Sequence, residues 1–269
     1  MHKMTSESQV HYSVRNFGGW ITLDRPERRN ALSPTLIGEV YECIERAVGD
    51  AEVRCIVLTG SGSAFCAGAD LKRTDREQDQ ASQSAGNVSF PELLTAILEC
   101  PKPVIAAVNG SAFGGGLGLV GAADIVIAAD EAKFSFSEVR IGVIPAIISV
   151  VCLPKLGRHN GLRLFLTGEA FDGKQAVEFG LAHQSVPAVR LEESVQAEID
   201  QIRRGGPNAV MECKKLVRRV LATDEADGFK LTSDWSQRMF RSAEAAEGMA
   251  AFRDKRLPVW NDGEQENNL

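Results

Sequence analysis
Three short segments hold residue types that could do chemistry together. Ser63-Ala64-Phe65-Cys66-Ala67-Gly68-Ala69-Asp70-Leu71-Lys72 is a run of small residues leading into a polar stretch. Val108 to Gly118 (VNGSAFGGGLG) is a second small-residue run, here opening a helix. Both can present bare backbone N–H groups, and a helix N-terminus adds the positive end of its dipole. Two such amides converging on one oxygen would make an oxyanion hole. The third segment, Phe134 to Gly142 (FSFSEVRIG), carries Glu138 as a lone acid among aromatic and aliphatic residues. A carboxylate in an apolar pocket has a raised pKa and exchanges protons near neutrality. Taken singly, each has a plainer explanation: glycine runs turn or pack tightly, and Glu138 could pair with Arg140. It is their combination, in this order, that carries weight.

The elements that must position these segments alternate along the chain. His11 to Asp24 reads as two strands turning at Asn16-Phe17-Gly18-Gly19, followed by the polar turn Arg25 to Asn30. Ser33 caps a helix with Pro34 at its first position and an apolar stripe of Leu36, Ile37, Val40, Ile44 and Val48. Val53 to Thr59 is a buried strand, broken by Gly60 to Ser63. Asp70 to Asn87 is polar and without period, a solvated loop or short exposed helix. Phe90 to Glu99 is helical, Val104 to Val108 and Ile125 to Ala129 are strands, and Leu162 to Leu166 is helical. Asp172 caps a helix from Gly173 to Phe179 that stops at Gly180. Helices then run over 191–204, 207–222 and 228–256. The pattern is an α/β core followed by helices alone, with no fixed-period repeat and no long linker.

Composition narrows the function classes. Among 269 residues, 30 Lys+Arg face 36 Asp+Glu for a formal charge of −6, and 44% are hydrophobic. These values fit a globular chain and exclude disorder and a basic nucleic-acid-binding face. Six scattered cysteines form no C-x-x-C pair, so no zinc or thioredoxin-like site is expected, and a reducing cytoplasmic setting fits them. Met1 to Val10 is polar and reads as no secretory signal. Pro103 to Ala123 lacks charge over a membrane-spanning length, but its six glycines argue for strand, loop and buried helix. Gly116 to Gly121 (GLGLVG) matches the dinucleotide fingerprint. The next strand candidate begins four residues later, too soon for a parallel crossover. The glycines are read instead as places of close backbone approach.

At these residues the sequence resembles the enoyl-CoA hydratase/isomerase, or crotonase, superfamily. The matching stretches are ITLDRPERRNAL (21–32), AFCAGADLK (64–72), AVNGSAFGGGLGL (107–119), AKFSFSEVRIGVIP (132–145), LTGEAFDGKQAVEFGL (166–181) and EGMAAFRDKRLPVW (247–260). The resemblance implies a crotonase-like spiral of ββα units over 1–190 and a helical trimerisation region over 191–269. It implies acyl-CoA thioesters as substrates, with no metal and no cofactor beyond the coenzyme A that the substrate carries. By motif position, Ala69 and Gly115 would supply the two oxyanion-binding amides, with Glu138 as the acid–base. Coenzyme A would lie along Arg25 to Ala31. Arg28, Arg29, Ala31, Ala67, Asp70, Leu71, Lys72 and Gly114 are candidate contacts, as are Phe252 and Lys255 from the tail. No nucleic-acid or membrane partner is expected; a homotrimer or a dimer of trimers is.

One position departs from the family pattern. Hydratases of the family commonly set two glutamates about a water; one matches Glu138, and the other falls at Gly118 here. Some family hydratases also carry Gly there together with a Ser-Glu-Val-Arg-Ile-Gly stretch, present here at 137–142. The expectation is therefore a lyase that hydrates a 2-enoyl-CoA in fatty-acid or branched acyl-CoA breakdown. A single-glutamate isomerase and a non-catalytic acyl-CoA binder are the alternatives. The acyl pocket is expected to draw on parts of 70–98 and 139–149.

Overall fold
A computed structural model describes residues 8–70 and 88–261. Leu71, Lys72 and the rest of the polar stretch to residue 87 lie outside the described residues.

Strands β1 (Val10–Arg15) and β2 (Gly18–Leu23) form an antiparallel hairpin. Its two turn residues, Asn16 and Phe17, have φ of 47° and 66°, the left-handed pair that a tight hairpin needs. Helix α1 (Pro34–Gly49) buries Leu36, Ile37, Val40 and Ile44, and the Ser33 side chain accepts a hydrogen bond from the Leu36 amide. Three turns of chain with a common plan follow. A longer strand enters one sheet, a short strand enters a second sheet, and a helix closes the turn. The first turn is β3 (Cys55–Gly60), β4 (Ala64–Cys66) and α2 (Phe90–Glu99). The second is β5 (Val104–Val108), β6 (Ser111–Phe113) and α3 (Gly115–Ala122). The third is β7 (Ile125–Ala129), β8 (Lys133–Ser135) and α4 (Ala146–Thr167). Strand β9 (Phe171–Asp172), helix α5 (Gly173–Glu178) and β10 (Gln184–Val186) complete the winding.

The larger sheet has the order β1-β2-β3-β5-β7-β10 and the smaller β4-β6-β8-β9. From β2 onward the larger sheet is parallel, and its strands are covered on both faces, as parallel strands are. Ile56, Leu58, Val104 and Ala106 face one core together with Phe65, Leu117, Phe134 and Phe136. Cys55, Val57, Ile105 and Ile127 face another, closed by Leu191, Val195 and Ile199 of α6 (Leu191–Arg204). This is a crotonase-like spiral of ββα turns with a helical C-terminal region. The C-terminal helices continue as α7 (Pro207–Leu221), α8 (Glu225–Phe240) and α9 (Ala243–Asp254).

Two differences from the sequence reading have local causes. The second sheet was not anticipated, because its strands are two or three residues long and carry no alternation to read. The helix expected over 228–256 is two helices: Ser242 starts a new one by accepting a hydrogen bond from the Ala245 amide. The GLGLVG run lies within α3, where Gly116 and Gly121 let the helix press on the Cys66 carbonyl and on Cys152. Tight packing is thus their use.

Candidate active site
The turn after β2 is built around Asn30, which is fully buried with φ of 54°. Its Oδ1 accepts from the Arg25 amide at 2.9 Å, and its Nδ2 donates to the carbonyls of Ser61 (3.0 Å) and Ala64 (2.8 Å). The same turn holds the segment after β4. The Ala67 amide donates to Arg29 O at 2.9 Å and the Leu32 amide to Gly68 O at 2.8 Å, with Leu32 bridged in parallel to Ala69. A trans peptide directs its C=O and N–H oppositely. With the Gly68 carbonyl aimed at Leu32, the Ala69 N–H is aimed away from it.

Gly68 has φ of +85°, a conformation that disfavours any side chain. A β-carbon there would lie 2.6 Å from Phe113 O and 3.1 Å from the Gly115 nitrogen. The backbones of 67–70 and 113–115 are therefore in contact. Gly115 opens α3, so its N–H has no intrahelical partner. Among the described residues, neither the Ala69 nor the Gly115 amide donates to a protein group.

The acid comes from the next turn of the spiral. After β8 the chain winds into a 3-10 turn over Ser137–Ile141, closed by Gly142 at φ of 79°. Glu138 leans from this turn over Gly114: its Oε1 is 3.3 Å from where a β-carbon on Gly114 would sit. Its Oε2 is buried without a hydrogen-bond partner, and burial raises the carboxyl above the ordinary carboxylate range. It forms no ion pair with Arg140 among the described residues. Two free amides beside one desolvated acid can polarise a carbonyl and move a proton next to it. The nearby thiols offer no competing nucleophile, since burial pushes Cys66 and Cys152 up to about 12.

A family model described as enoyl-CoA hydratase/isomerase matches residues 19–264. The chain belongs to the enoyl-CoA hydratase/isomerase family. It is 35% identical over 258 residues to a carnitinyl-CoA dehydratase of Proteus mirabilis, covering 93% of this chain and 97% of that one. It is 33% identical over 242 residues to an enoyl-CoA hydratase of Mycobacterium tuberculosis, covering 88% and 91%. Among solved structures, a Legionella pneumophila protein provisionally described as an enoyl-CoA hydratase/isomerase (crotonase) superposes with a TM-score of 0.84 at 35% identity. That match covers 95% of this chain and all of that one. The family acts on acyl-CoA thioesters.

Gly118, the position at which the resemblance implies a second glutamate in two-glutamate hydratases, is crowded. A β-carbon at 118 would lie 2.7 Å from Ile148 Cγ2 and 3.0 Å from Phe90 Cζ. Both side chains stand where a second acid would begin. Phe90 is fixed there by the capping box of α2, in which Ser89 and Glu92 bond each other's backbone amides. The same ring lies 3.6 Å from a β-carbon position on Gly115. Phe90 and Ile148 fall in the two stretches, 70–98 and 139–149, expected to contribute to the acyl pocket, but no local signal picks out either of them, or Leu32, which also approaches Gly115. They are ordinary apolar residues until α2 and α4 are folded onto α3.

The expected coenzyme A contacts fall into groups. Ala67 and Gly114 lie on the two touching segments, and Ala31 is buried beside them. Arg28 and Arg29 are exposed, one in a 3-10 turn and the other capping it at φ of 50°. The Asp70 carboxylate is only 5% exposed and pairs with Arg25, the first residue of the stretch along which coenzyme A is expected to lie. Phe252, 89% exposed, and Lys255 sit at the C-terminal end of α9. No side-chain hydrogen bond or ion pair joins either to 67–70, 114–115 or 138 among the described residues.

Proposed function
We propose that this chain adds water reversibly to the double bond of a 2-enoyl-CoA thioester. The observation that carries the reading is the meeting of three segments: Gly68 against Gly115, and the Glu138 carboxylate over Gly114. Ionised Glu138 takes a proton from water as the water oxygen bonds to the β-carbon. The π electrons move to the thioester oxygen, where the amides of Ala69 and Gly115 hold the enolate. The enolate then collapses, and Glu138 returns the proton to the α-carbon. One acid thus serves both half-steps, and the net addition is one H and one OH. Arg28, Arg29 and Lys72 are the cations proposed for the coenzyme phosphates, which suit fork and point charge alike.

The crowding at Gly118 favours a second reading, a double-bond isomerase in which Glu138 carries one proton from the α to the γ carbon of the substrate or back. Assay against crotonyl-CoA, a 3-enoyl-CoA and a branched 2-enoyl-CoA decides between them. Hydration of either 2-enoyl ester supports the first reading. Migration of the 3-enoyl double bond without hydration supports the second. Binding without turnover refutes both.

The proposed setting is a cytoplasmic homotrimer or pair of trimers working in acyl-CoA breakdown. Six unpaired cysteines suit a reducing compartment. The exposed apolar side chains of Ile141, Ile144, Val150 and Phe252 suit burial between copies.

A further inference from the structure
We infer that Arg25 is a positioning residue for the Ala69 amide, acting through its ion pair with Asp70. The inference rests on the oxyanion-binding reading of that amide. Arg25 begins the turn that Asn30 organises, and both its backbone groups are tied to Asn30: its N–H to Oδ1 and its carbonyl to the Asn30 amide, each at 2.9 Å. From this anchored start the guanidinium spans two targets. Nη1 donates to Ala31 O at 2.8 Å, and Nη2 donates to Asp70 Oδ2 at 3.2 Å across 45 residues of sequence. The two side chains are 13% and 5% exposed.

Asp70 directly follows Ala69. The peptide carrying the Ala69 N–H is held on its near side by the Leu32 to Gly68 bond at 2.8 Å. On its far side the Asp70 amide reaches Leu32 O at only 3.4 Å, and the Arg25 contact to Asp70 reinforces that side. Gly68, at φ of +85°, gives the segment little stiffness of its own. A buried ion pair is weak support for stability, since apolar replacements of similar volume are often neutral or better. A misplacement of about 1 Å at a reacting centre, by contrast, can cost ~10²-fold in rate. The pair is therefore placed to aim an amide more than to hold the fold.

The test compares wild type with Arg25→Met, Asp70→Asn and the double variant Arg25→Met/Asp70→Leu. Readouts are kcat, KM, Tm and the infrared carbonyl stretch of a bound, non-reacting acyl-CoA thioester. The expected result is a kcat lowered ~10- to 100-fold in Arg25→Met, with KM within about twofold and the carbonyl shift diminished. In the double variant Tm recovers toward wild type because neither charge of the pair is left without the other, while kcat and the carbonyl shift stay low. Recovery of kcat along with Tm would overturn the inference, as would a loss confined to KM. Should the double variant not fold, the near-isosteric Asp70→Asn decides: unchanged kcat and carbonyl shift sink the inference. A wild-type enzyme with no carbonyl shift at all would instead bring down the oxyanion reading, and this inference with it. A wild-type shift that persists in every variant removes Arg25 alone.

Discussion

Glu138 overhangs Gly114, with Oε1 3.3 Å from the place a β-carbon on that glycine would occupy. The residue after Gly114 supplies the free amide at the start of α3. Acid and amide are thus set within one peptide of each other, although they come from different turns of the spiral.

Glu138→Gln keeps the shape of the side chain and removes its ability to exchange a proton. Turnover of every accepted ester should fall by ~10²-fold or more, while the Kd for a non-reacting acyl-CoA, measured by titration calorimetry, changes little. Retained turnover would refute the acid–base role.

The pH dependence has a definite sign. Burial raises the Glu138 carboxyl, and the proposed hydration starts from its ionised form. The rate kcat/KM should therefore fall as pH drops through a value above the ordinary carboxylate pKa of ~4.3. Stability moves the other way. A raised folded-state pKa means the native protein binds this proton more tightly than the unfolded chain. The associated stabilisation is full below the unfolded pKa and lost as pH rises through the folded one. Thermal melts should show Glu138→Gln gaining on wild type at pH 8, with the gain vanishing in acid.

Gly68→Ala should separate the two amides. Its β-carbon would meet Phe113 O at 2.6 Å, a backbone atom that cannot step aside cheaply, and φ of +85° adds strain. Misplacing one oxyanion donor costs ~10²–10³ in kcat. Steady-state kinetics on a variant shown to be folded by circular dichroism checks this, and a kcat within a few-fold of wild type would contradict it.

Gly118→Glu alone should not install a second acid. The new side chain would collide with Ile148 and Phe90, an overpacking that costs ~1–3 kcal/mol and should appear as a lower Tm. Adding Phe90→Ala and Ile148→Ala should restore Tm and raise hydration of crotonyl-CoA relative to double-bond migration. If the single variant melts like wild type, the crowding argument is wrong.

Much of the scaffold could be read from local signals. Helix α2 runs over Phe90–Glu99 as expected, because Ser89, Pro91 and Glu92 mark its start within four residues. Asp172 and Gly180 bracket α5 for the same reason: its capping box is local and Gly180 has φ of 80°. The smaller sheet was opaque because its strands are shorter than one period of alternation. At the site, small residues and a lone acid point to the segments, yet nothing in their order says that Gly68 touches Gly115. The pairing of Arg25 with Asp70 and the crowding of Phe90 and Ile148 on Gly118 are tertiary events between residues unremarkable in their own neighbourhoods.

The amides at 69 and 115 belong to the main chain, so no single codon encodes them. Drift among side chains leaves that part of the apparatus in place as long as the spiral winds the same way. The proposed proton carrier, by contrast, is one replaceable side chain. A lineage built on this plan can exchange its acid, or relocate it to another turn, and arrive at a different reaction on the same activated thioester.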